Sequence, residues 1–526
     1  MSTSHYLDEE LFCRKSISKI HEKIARQRAV FYHYSMVKRR LLYKGMATTV
    51  KQLCEIAGLD ISKFSPKVKS VLNKKVSQIC QASADFQKGC ICVQLYSEGD
   101  NLMRWAMAHG AIVVVTRSQI DDLPCIVVDD PNEVYAAMCG YYCRLRAIPT
   151  TVVTGSIGKT TTTHMINAVY SAQFKTYCTP TNGNHLVRVG VYAQHIPYGT
   201  ELFVQEISEN PPFHTRYMSR LLRPNIAVLT AIDNSHIEAF GTQENIIKSV
   251  CAVTDYMSSP TDSVIINKDE FFNYDLLGNH KVITVSTKGV DADYYAQDIN
   301  VTNKGISFKV VDNANRSEHP VLLHNIYAPH NVISALYAFA AGVCASVDRR
   351  NIVKGLESFR TRGIRQNVFT VDNNVIVYAD CYNAVTKSMI SAIDSACSIP
   401  INGKRIAVLG DIAEVGDMSD EIHRQVLEHA FGSHIDSLIV KGEHFAKALS
   451  SFDKKITDKV TVCSSNSEIC KAVQSILSND DLVLFKSSQA GHLEECIRML
   501  WPSSYKTISK ADNKPIMRWK LQTLFN

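Results

Sequence analysis

The chain has 526 residues, 45% of them hydrophobic and 21% charged, and a formal net charge of +6. Such a length predicts about three or four domains, and the balance is ordinary for globular domains with sizeable cores. No run of eighteen apolar residues occurs, so no transmembrane helix is expected, and the polar start Met1–Glu10 lacks the apolar core of a secretory signal.

Sixteen cysteines are scattered singly along the chain. The closest pairs, Cys90/Cys92 and Cys139/Cys143, are not matched by second pairs at zinc-site spacing. They read as reduced, mostly buried thiols of a cytoplasmic protein.

Residues 8–44 read as a helix, with Ile17, Ile20, Ile24, Phe31, Tyr34, Val37 and Leu41 near a 3.6-residue repeat and Gly45 as its stop. The positive charge gathers here: Arg14, Lys15, Lys19, Lys23, Arg26, Arg28, Lys38, Arg39, Arg40 and Lys44 stand against one acid, Glu22. Three readings stay open for this extension: a solvated helix docked by its apolar stripe, a self-association helix, or a contact with an anionic membrane or polyanionic protein partner. Beyond charge, nothing supports nucleic acid as a partner.

Residues 46–147 read as a small α/β domain. Thr48–Gly58 starts with a Thr-Thr cap candidate, strands are expected at Cys90–Leu95, Ala111–Thr116 and Cys125–Val128, and helices at Asn101–His109 and Pro131–Leu145. Residues 148–361 alternate strand and helix, with strands at Thr150–Val153, Leu202–Ile207, Ile226–Leu229 and Ser263–Ile266, which predicts a mostly parallel sheet covered on both faces. Residues 362–526 form a third α/β unit, with strands at Val375–Ala379, Arg405–Leu409, Ser437–Val440 and Leu482–Phe485.

The most informative motif follows the β-branched run Thr150–Val153: Gly155-Ser156-Ile157-Gly158-Lys159-Thr160, then Thr161. A glycine loop between a strand and a helix offers successive backbone N–H groups to phosphate oxygens. Lys159 would pair with the β- and γ-phosphates, and the Thr160 hydroxyl would reach Mg2+. Val153 stands where a long P-loop has its first glycine, so this is a short variant. The alternative is a purely structural turn.

Further segments follow in order. Thr179-Pro180-Thr181-Asn182, Glu206-Ile207-Ser208-Glu209-Asn210, Ser235-His236-Ile237-Glu238-Ala239-Phe240-Gly241, His330-Asn331, Gly363 and Arg365, Asp380-Cys381-Tyr382-Asn383-Ala384, Leu409-Gly410-Asp411 with His423, and Phe485-Lys486-Ser487-Ser488 resemble, one after another, the motifs of the Mur ligase family. The resemblance runs from about residue 46 to the end. It implies an α/β fold of three domains with a central P-loop ATPase domain, here with an N-terminal helical extension. It also implies an ATP-dependent ligase that activates a carboxylate as an acyl phosphate and couples it to an amino acid or dipeptide amine. ATP and Mg2+ would be its cofactors. The substrates would be a small-molecule acid and amine, on the pattern of members that join a UDP-linked murein peptide to D-alanyl-D-alanine in peptidoglycan synthesis.

Carried onto this chain, the resemblance makes Lys159, Glu206 and His236 catalytic, with Thr160, Glu206 and His236 at the metal. ATP would lie against Gly155 to Thr161, His330, Asn331, Arg365 and Asp380. Asn182, Asn210, Asn383, Lys486 and Ser488 would face substrate. Plainer readings stand beside these: a surface salt bridge for Glu206, a solvated loop position for His236, helix capping for His330-Asn331 and a hinge ion pair for Arg365 with Asp380. The Gly410-Asp411 turn reads as partly structural.

The chain departs from the family pattern at four places. Val250 stands where many members carry a lysine whose carbamate bridges a second magnesium, and Lys248 is about 200° away around a helix. Gln78–Asp85 and Tyr96–Asp100 replace the segments that hold the UDP-murein substrate, Gln489 replaces an arginine of the late loop, and Val385-Thr386 follows Asn383-Ala384 in place of Asn-Pro. The nucleotide machinery is better kept than the substrate ends. Two alternatives follow: a ligase of the same chemistry in a non-murein pathway, and a catalytically impaired nucleotide-binding scaffold.

Overall fold

In a computed structural model of the chain, residues 48–81, 86–95, 100–179, 183–212, 214–232, 237–270, 274–289, 291–361, 363–412 and 419–506 are described. The expected helix at 8–44 lies outside them, as do Asn182 and His236. The chain divides into two compact units between Ala147 and Ile148.

In the first unit, helix α1 (Val50–Ile56) opens on a capping box, since the Thr49 hydroxyl accepts from Gln52 N–H and the Gln52 side chain accepts from Thr49 N–H. Strands β1 (Ile79–Cys80) and β2 (Ile91–Val93), helix α2 (Asp100–Ala108), strands β3 (Val113–Thr116) and β4 (Cys125–Val127) and helix α3 (Pro131–Arg146) follow. The four strands form one parallel sheet in the order β1-β2-β3-β4. Its core takes up Cys80, Cys90, Cys92 and Cys125 beside Met103 and Val114. All described cysteines are free, and most are buried.

The second unit holds two sheets. β5 (Thr150–Thr154), helix α4 (Lys159–Ser171), β6 (Thr176–Cys178), β7 (Leu202–Glu206), β8 (Ile226–Leu229), helix α5 (Gln243–Cys251), β9 (Ser263–Asn267), β10 (Lys281–Ser286), β11 (Tyr294–Thr302), β12 (Gly305–Asp312) and β13 (Ser317–His324) come first, followed by helices α6 (Asn331–Cys344) and α7 (Arg349–Ser358). Their nine strands run β13-β12-β11-β10-β9-β8-β5-β7-β6. β6 to β11 pair in parallel, whereas β11-β12-β13 is an antiparallel meander. The sequence reading, strand alternating with helix, overlooked β6 and β10 to β13. Most of β11 is only partly buried, and its register shifts between Gln297 and Asn300, so no steady two-residue period marks it.

Ala-rich α6 is buried on nearly every side, and it packs with α4 and α7 over the sheet. A Cβ on Gly355 would lie 2.5 Å from the Cα of Val169, so the α4–α7 approach requires glycine there.

The second sheet comprises β14 (Asn367–Thr370), β15 (Ile376–Asp380), β16 (Arg405–Gly410), β17 (Ser437–Lys441), β18 (Val460–Cys463) and β19 (Leu482–Lys486). Helices α8 (Thr386–Ser398), α9 (Ser419–Phe431) and α10 (Glu443–Leu449) lie among them. The order is β14-β15-β19-β16-β17-β18, all parallel except β14. Among the described residues no helix is long and apolar enough to cross a membrane.

Candidate functional site

β5 sits between β8 and β7, neither of them its neighbour in sequence, so the loop that leaves it opens at a switch point of the sheet. Open α/β sheets bind ligands there, outside the carboxyl ends of their strands. The loop is held by Ser156 N–H and Ile157 N–H, which donate to Ala231 O at 2.9 and 3.1 Å. Gly155 has φ +129°, and a Cβ on it would lie 2.3 Å from the Thr230 hydroxyl, so this position admits only glycine. Gly158, also at positive φ, opens α4 without a side-chain cap and leaves first-turn N–H groups available to an anion.

A cavity of about 590 Å3 lies over this loop. Ser156, Ile157, Gly158, Lys159, Thr160 and Thr161 line one side of it. Glu206 ends β7, Thr230 follows β8 and Asn267 ends β9. Asp380 and Lys486, the last residues of β15 and β19, bring the second sheet to the same cavity.

Glu206 is buried, and its Oε1 accepts from Asn184 Nδ2 at 2.9 Å. This inward-facing position replaces the surface salt bridge that a lone glutamate would suggest. Thr160 Oγ1 lies 3.4 Å from Arg365 Nη1. Two oxygen-bearing groups, a hydroxyl and a carboxylate, thus line the same cavity. Such a set fits Mg2+, which prefers hard oxygen ligands and keeps several waters and substrate phosphates of its own. No cluster of three or more His, Cys, Asp or Glu suited to a metal exists among the described residues.

His330 does not cap α6 through its side chain. Its ring joins the start of α6 to the segment before β14 and to α8, contacting Gln366 at 3.0 Å and Ser391 Oγ at 2.8 Å, and desolvation by the surrounding protein holds its pKa below the usual histidine range. Asn331 Nδ2 donates to Gln366 Oε1 at 3.2 Å, while its Oδ1 is buried with no hydrogen-bond partner among the described residues. That orphaned acceptor on the cavity wall fits the amino group of an adenine.

The Arg365 guanidinium stacks 3.3 Å above the Tyr382 ring. Asp380 forms a buried ion pair with Lys486 at 2.9 Å, and its Oδ1 accepts from Gln366 N–H. Lys486 also donates to Asn383 O, so this lysine is held inside the protein.

Not every expected site residue meets at the cavity. Gly155 shapes the loop from behind, and Asn210 and Ser488 are not among the lining residues. The Ser488 hydroxyl donates to Asp411 O at 3.3 Å. Asp411 accepts from the N–H groups of His444 and Phe445, both at 3.1 Å, so it caps α10, as its turn reading allowed. Val250 is fully buried on α5, whereas Lys248 is half-exposed and pairs with Glu244 at 2.8 Å. Neither lines the cavity.

Several lining residues escaped the sequence reading: Glu270, whose carboxyl burial pushes above the usual range, and Tyr337 and Gln366, while Tyr382 stood in a quoted segment without a role. The segment quoted around Glu206 also contained Glu209, which pairs with Lys159 at 2.9 Å.

A short glycine loop at a switch point, a buried carboxylate beside it and a second sheet at the same cavity have the form of a nucleotide-dependent α/β enzyme. Comparison with known proteins narrows this. Residues 153–342 match the Mur ligase middle domain, and residues 364–489 match the Mur ligase, glutamate ligase domain. The chain belongs to the Mur ligase family and is an ATP-dependent acid–amine ligase.

It is similar to the UDP-N-acetylmuramoyl-tripeptide--D-alanyl-D-alanine ligase of Bacillus subtilis, 28% identical over 77% of this chain and 88% of that one. The Escherichia coli enzyme of that name is 26% identical over 78% of this chain and 91% of its own. In fold it is similar to MurF from Acinetobacter baumannii, with a TM-score of 0.72 and 22% identity over 86% of this chain and 98% of that one. A MurF ligase from Thermotoga maritima in complex with ADP gives 0.68, at 20% identity over 85% and 99% of the two chains.

Proposed function

We propose that this ligase joins the D-alanyl-D-alanine amine to the carboxylate of a UDP-N-acetylmuramoyl-tripeptide, as the names of its Bacillus and Escherichia relatives describe. One observation carries the reading: the glycine loop, Glu206, Asn331, Arg365 and Asp380, far apart in sequence, line a single cavity.

In this reading Lys159 and the N-terminus of α4 hold the β- and γ-phosphates of ATP. Thr160 and Glu206 would hold Mg2+, with His236 as the resemblance implies. The metal supplies charge neutralisation of the transferring phosphoryl group. The substrate carboxylate attacks the γ-phosphorus in line, ADP leaves, and an acyl phosphate forms. The amine attacks the acyl carbon, loses its proton, and phosphate departs with its bonding pair. Arg365, stacked on Tyr382 and 3.4 Å from Thr160, brings positive charge from the segment before β14 to the phosphate side. Asn331 and His330 face the adenine, and Asp380 the ribose. Asn383 lines the cavity on the substrate side; Asn182, Asn210 and Ser488 have that role only as the resemblance implies, and the Lys486 charge is taken up by Asp380.

The sheets support a division into the substrate-binding domain 46–147, the ATP-binding domain 148–361 and the ligase domain 362–526, after the extension 1–45. ATP use and reduced thiols support a cytoplasmic enzyme.

A second reading, a ligase for another acid and amine, is favoured by buried Val250 and exposed Gln489. The test is phosphate release with ATP, Mg2+, UDP-N-acetylmuramoyl-tripeptide and D-alanyl-D-alanine, with the product weighed by mass spectrometry. A ligated product supports the first reading, and Lys159→Ala should then abolish turnover. ATP binding without product moves the assignment to another acid–amine pair. Full turnover by the Lys159→Ala protein would sink the phosphate-site reading.

A further inference from the structure

The P-loop lysine has a partner that its motif does not require. Lys159 Nζ carries three N–H donors, and three acceptors within the protein take them: Gly155 O, Ser156 O at 3.1 Å and Glu209 Oε2 at 2.9 Å. The two carbonyls belong to the loop itself. Glu209 comes from the segment after β7 and carries a full opposing charge. Its side chain is 1% exposed and that of Lys159 15%, so little water screens the pair. Ser249 Oγ, on α5, donates to Glu209 O at 3.2 Å and anchors the segment.

We propose that Glu209 competes with the β- and γ-phosphates for Lys159, so that ATP binds only as the buried Lys159–Glu209 pair opens. This rests on the nucleotide reading given above. An incoming phosphate can use Lys159 only by displacing an acceptor it already has. The loop carbonyls are fixed by the strand-to-helix turn, whereas the Glu209 carboxylate ends a side chain of three rotatable bonds. Displacement also leaves a buried carboxylate beside the triphosphate, where like charges repel. Glu209 therefore lowers affinity for the charged end of the nucleotide and leaves the adenosine end untouched. The pair re-forms when the nucleotide leaves, which favours release of ADP.

The experiment compares wild type with the near-isosteric Glu209→Gln by isothermal titration, with ATP and Mg2+, and with AMP, which lacks both competing phosphates. The expected result is an ATP Kd about tenfold lower in the variant, the equivalent of one charge-assisted hydrogen bond no longer displaced, with the AMP Kd unchanged. An unchanged ATP Kd overturns the proposal. So does a weaker one with a raised magnesium requirement, which would make Glu209 a cation ligand. Failure of wild type and variant alike to bind ATP would sink the nucleotide reading and this inference with it. A wild-type crystal structure with a non-hydrolysable ATP analogue tests the point without the variant. Lys159 Nζ should lie beyond hydrogen-bonding distance of Glu209, and an intact pair with phosphates bound would overturn the proposal.

Discussion

At the residue scale, the buried pair Lys486–Asp380 makes the sharpest energetic demand. Lys486 is 1% exposed in its side chain and Asp380 9%, at 2.9 Å. Two charges withdrawn from water are tolerated while they hold each other, and removing one leaves the other without compensation. Lys486→Met keeps most of the volume and deletes the charge. It should cost about 3–5 kcal/mol in unfolding free energy, read from the urea transition. A cost below about 1 kcal/mol, the range of exposed pairs, would show that water reaches Asp380. Both residues were legible in the sequence as site candidates, but their mutual contact was not. It depends on β15 and β19 lying side by side, with Asp380 opposite Lys486, although more than a hundred residues separate them in the chain. Glu209 and Gln366 escaped for the same reason: each acts through a partner on another element.

At the element scale, α10 begins after a glycine and borrows its cap from the residue that follows β16. Asp411 accepts from His444 and Phe445 N–H, and a Cβ on Gly442 would lie 2.1 Å from Asp411 Oδ2, so the cap and the glycine require each other. Asp411→Ala should cost about 1 kcal/mol, the usual worth of a side-chain N-cap.

Behind this cap lies His423, fully buried, its Nε2 accepting from Ile412 N–H at 3.0 Å and its Nδ1 donating to Ser419 O at 2.6 Å. Burial lowers its pKa from 6.5, with Ser419 and Asp411 opposing and His444 adding to the effect. A depressed histidine pKa means that the unfolded chain binds the proton more readily. Its stabilisation is therefore present above about pH 6.5 and is lost as pH falls below that value. Urea midpoints should fall between pH 7.5 and 5.5, and His423→Gln should flatten that fall. An unchanged slope in the variant would move the effect to another group.

Elements of this kind were largely readable beforehand, because apolar runs between turns mark parallel strands such as Ile226–Leu229 from local sequence alone. The meander β11 to β13 was not, since β11 and β13 face water in part and the register of β11 shifts between Gln297 and Asn300.

At the scale of the second unit, the cavity is shared. The nine-stranded sheet contributes the carboxyl ends of β5, β7 and β9, and the six-stranded sheet those of β15 and β19. Between them runs the segment before β14, where Arg365 stacks on Tyr382 and Gln366 contacts His330 and Asn331. A nucleotide held across this cavity binds the folded arrangement of both sheets and not the unfolded chain. At one hundred times its Kd it adds about 2.7 kcal/mol of stability, or roughly 3 °C in melting temperature for a unit of this size. The same geometry fixes where the gain falls. ATP with Mg2+ should slow amide hydrogen exchange at 155–162 and also at 363–367 and 380–386, since closing one half of the cavity without the other leaves the ligand half solvated. Lys159→Ala should lose protection at all three segments together. Protection confined to 155–162 would mean that the six-stranded sheet does not share the nucleotide, and the roles given to Arg365 and Asp380 would then fall. Protection of all three makes the segment before β14 the element through which nucleotide binding draws the sheets together.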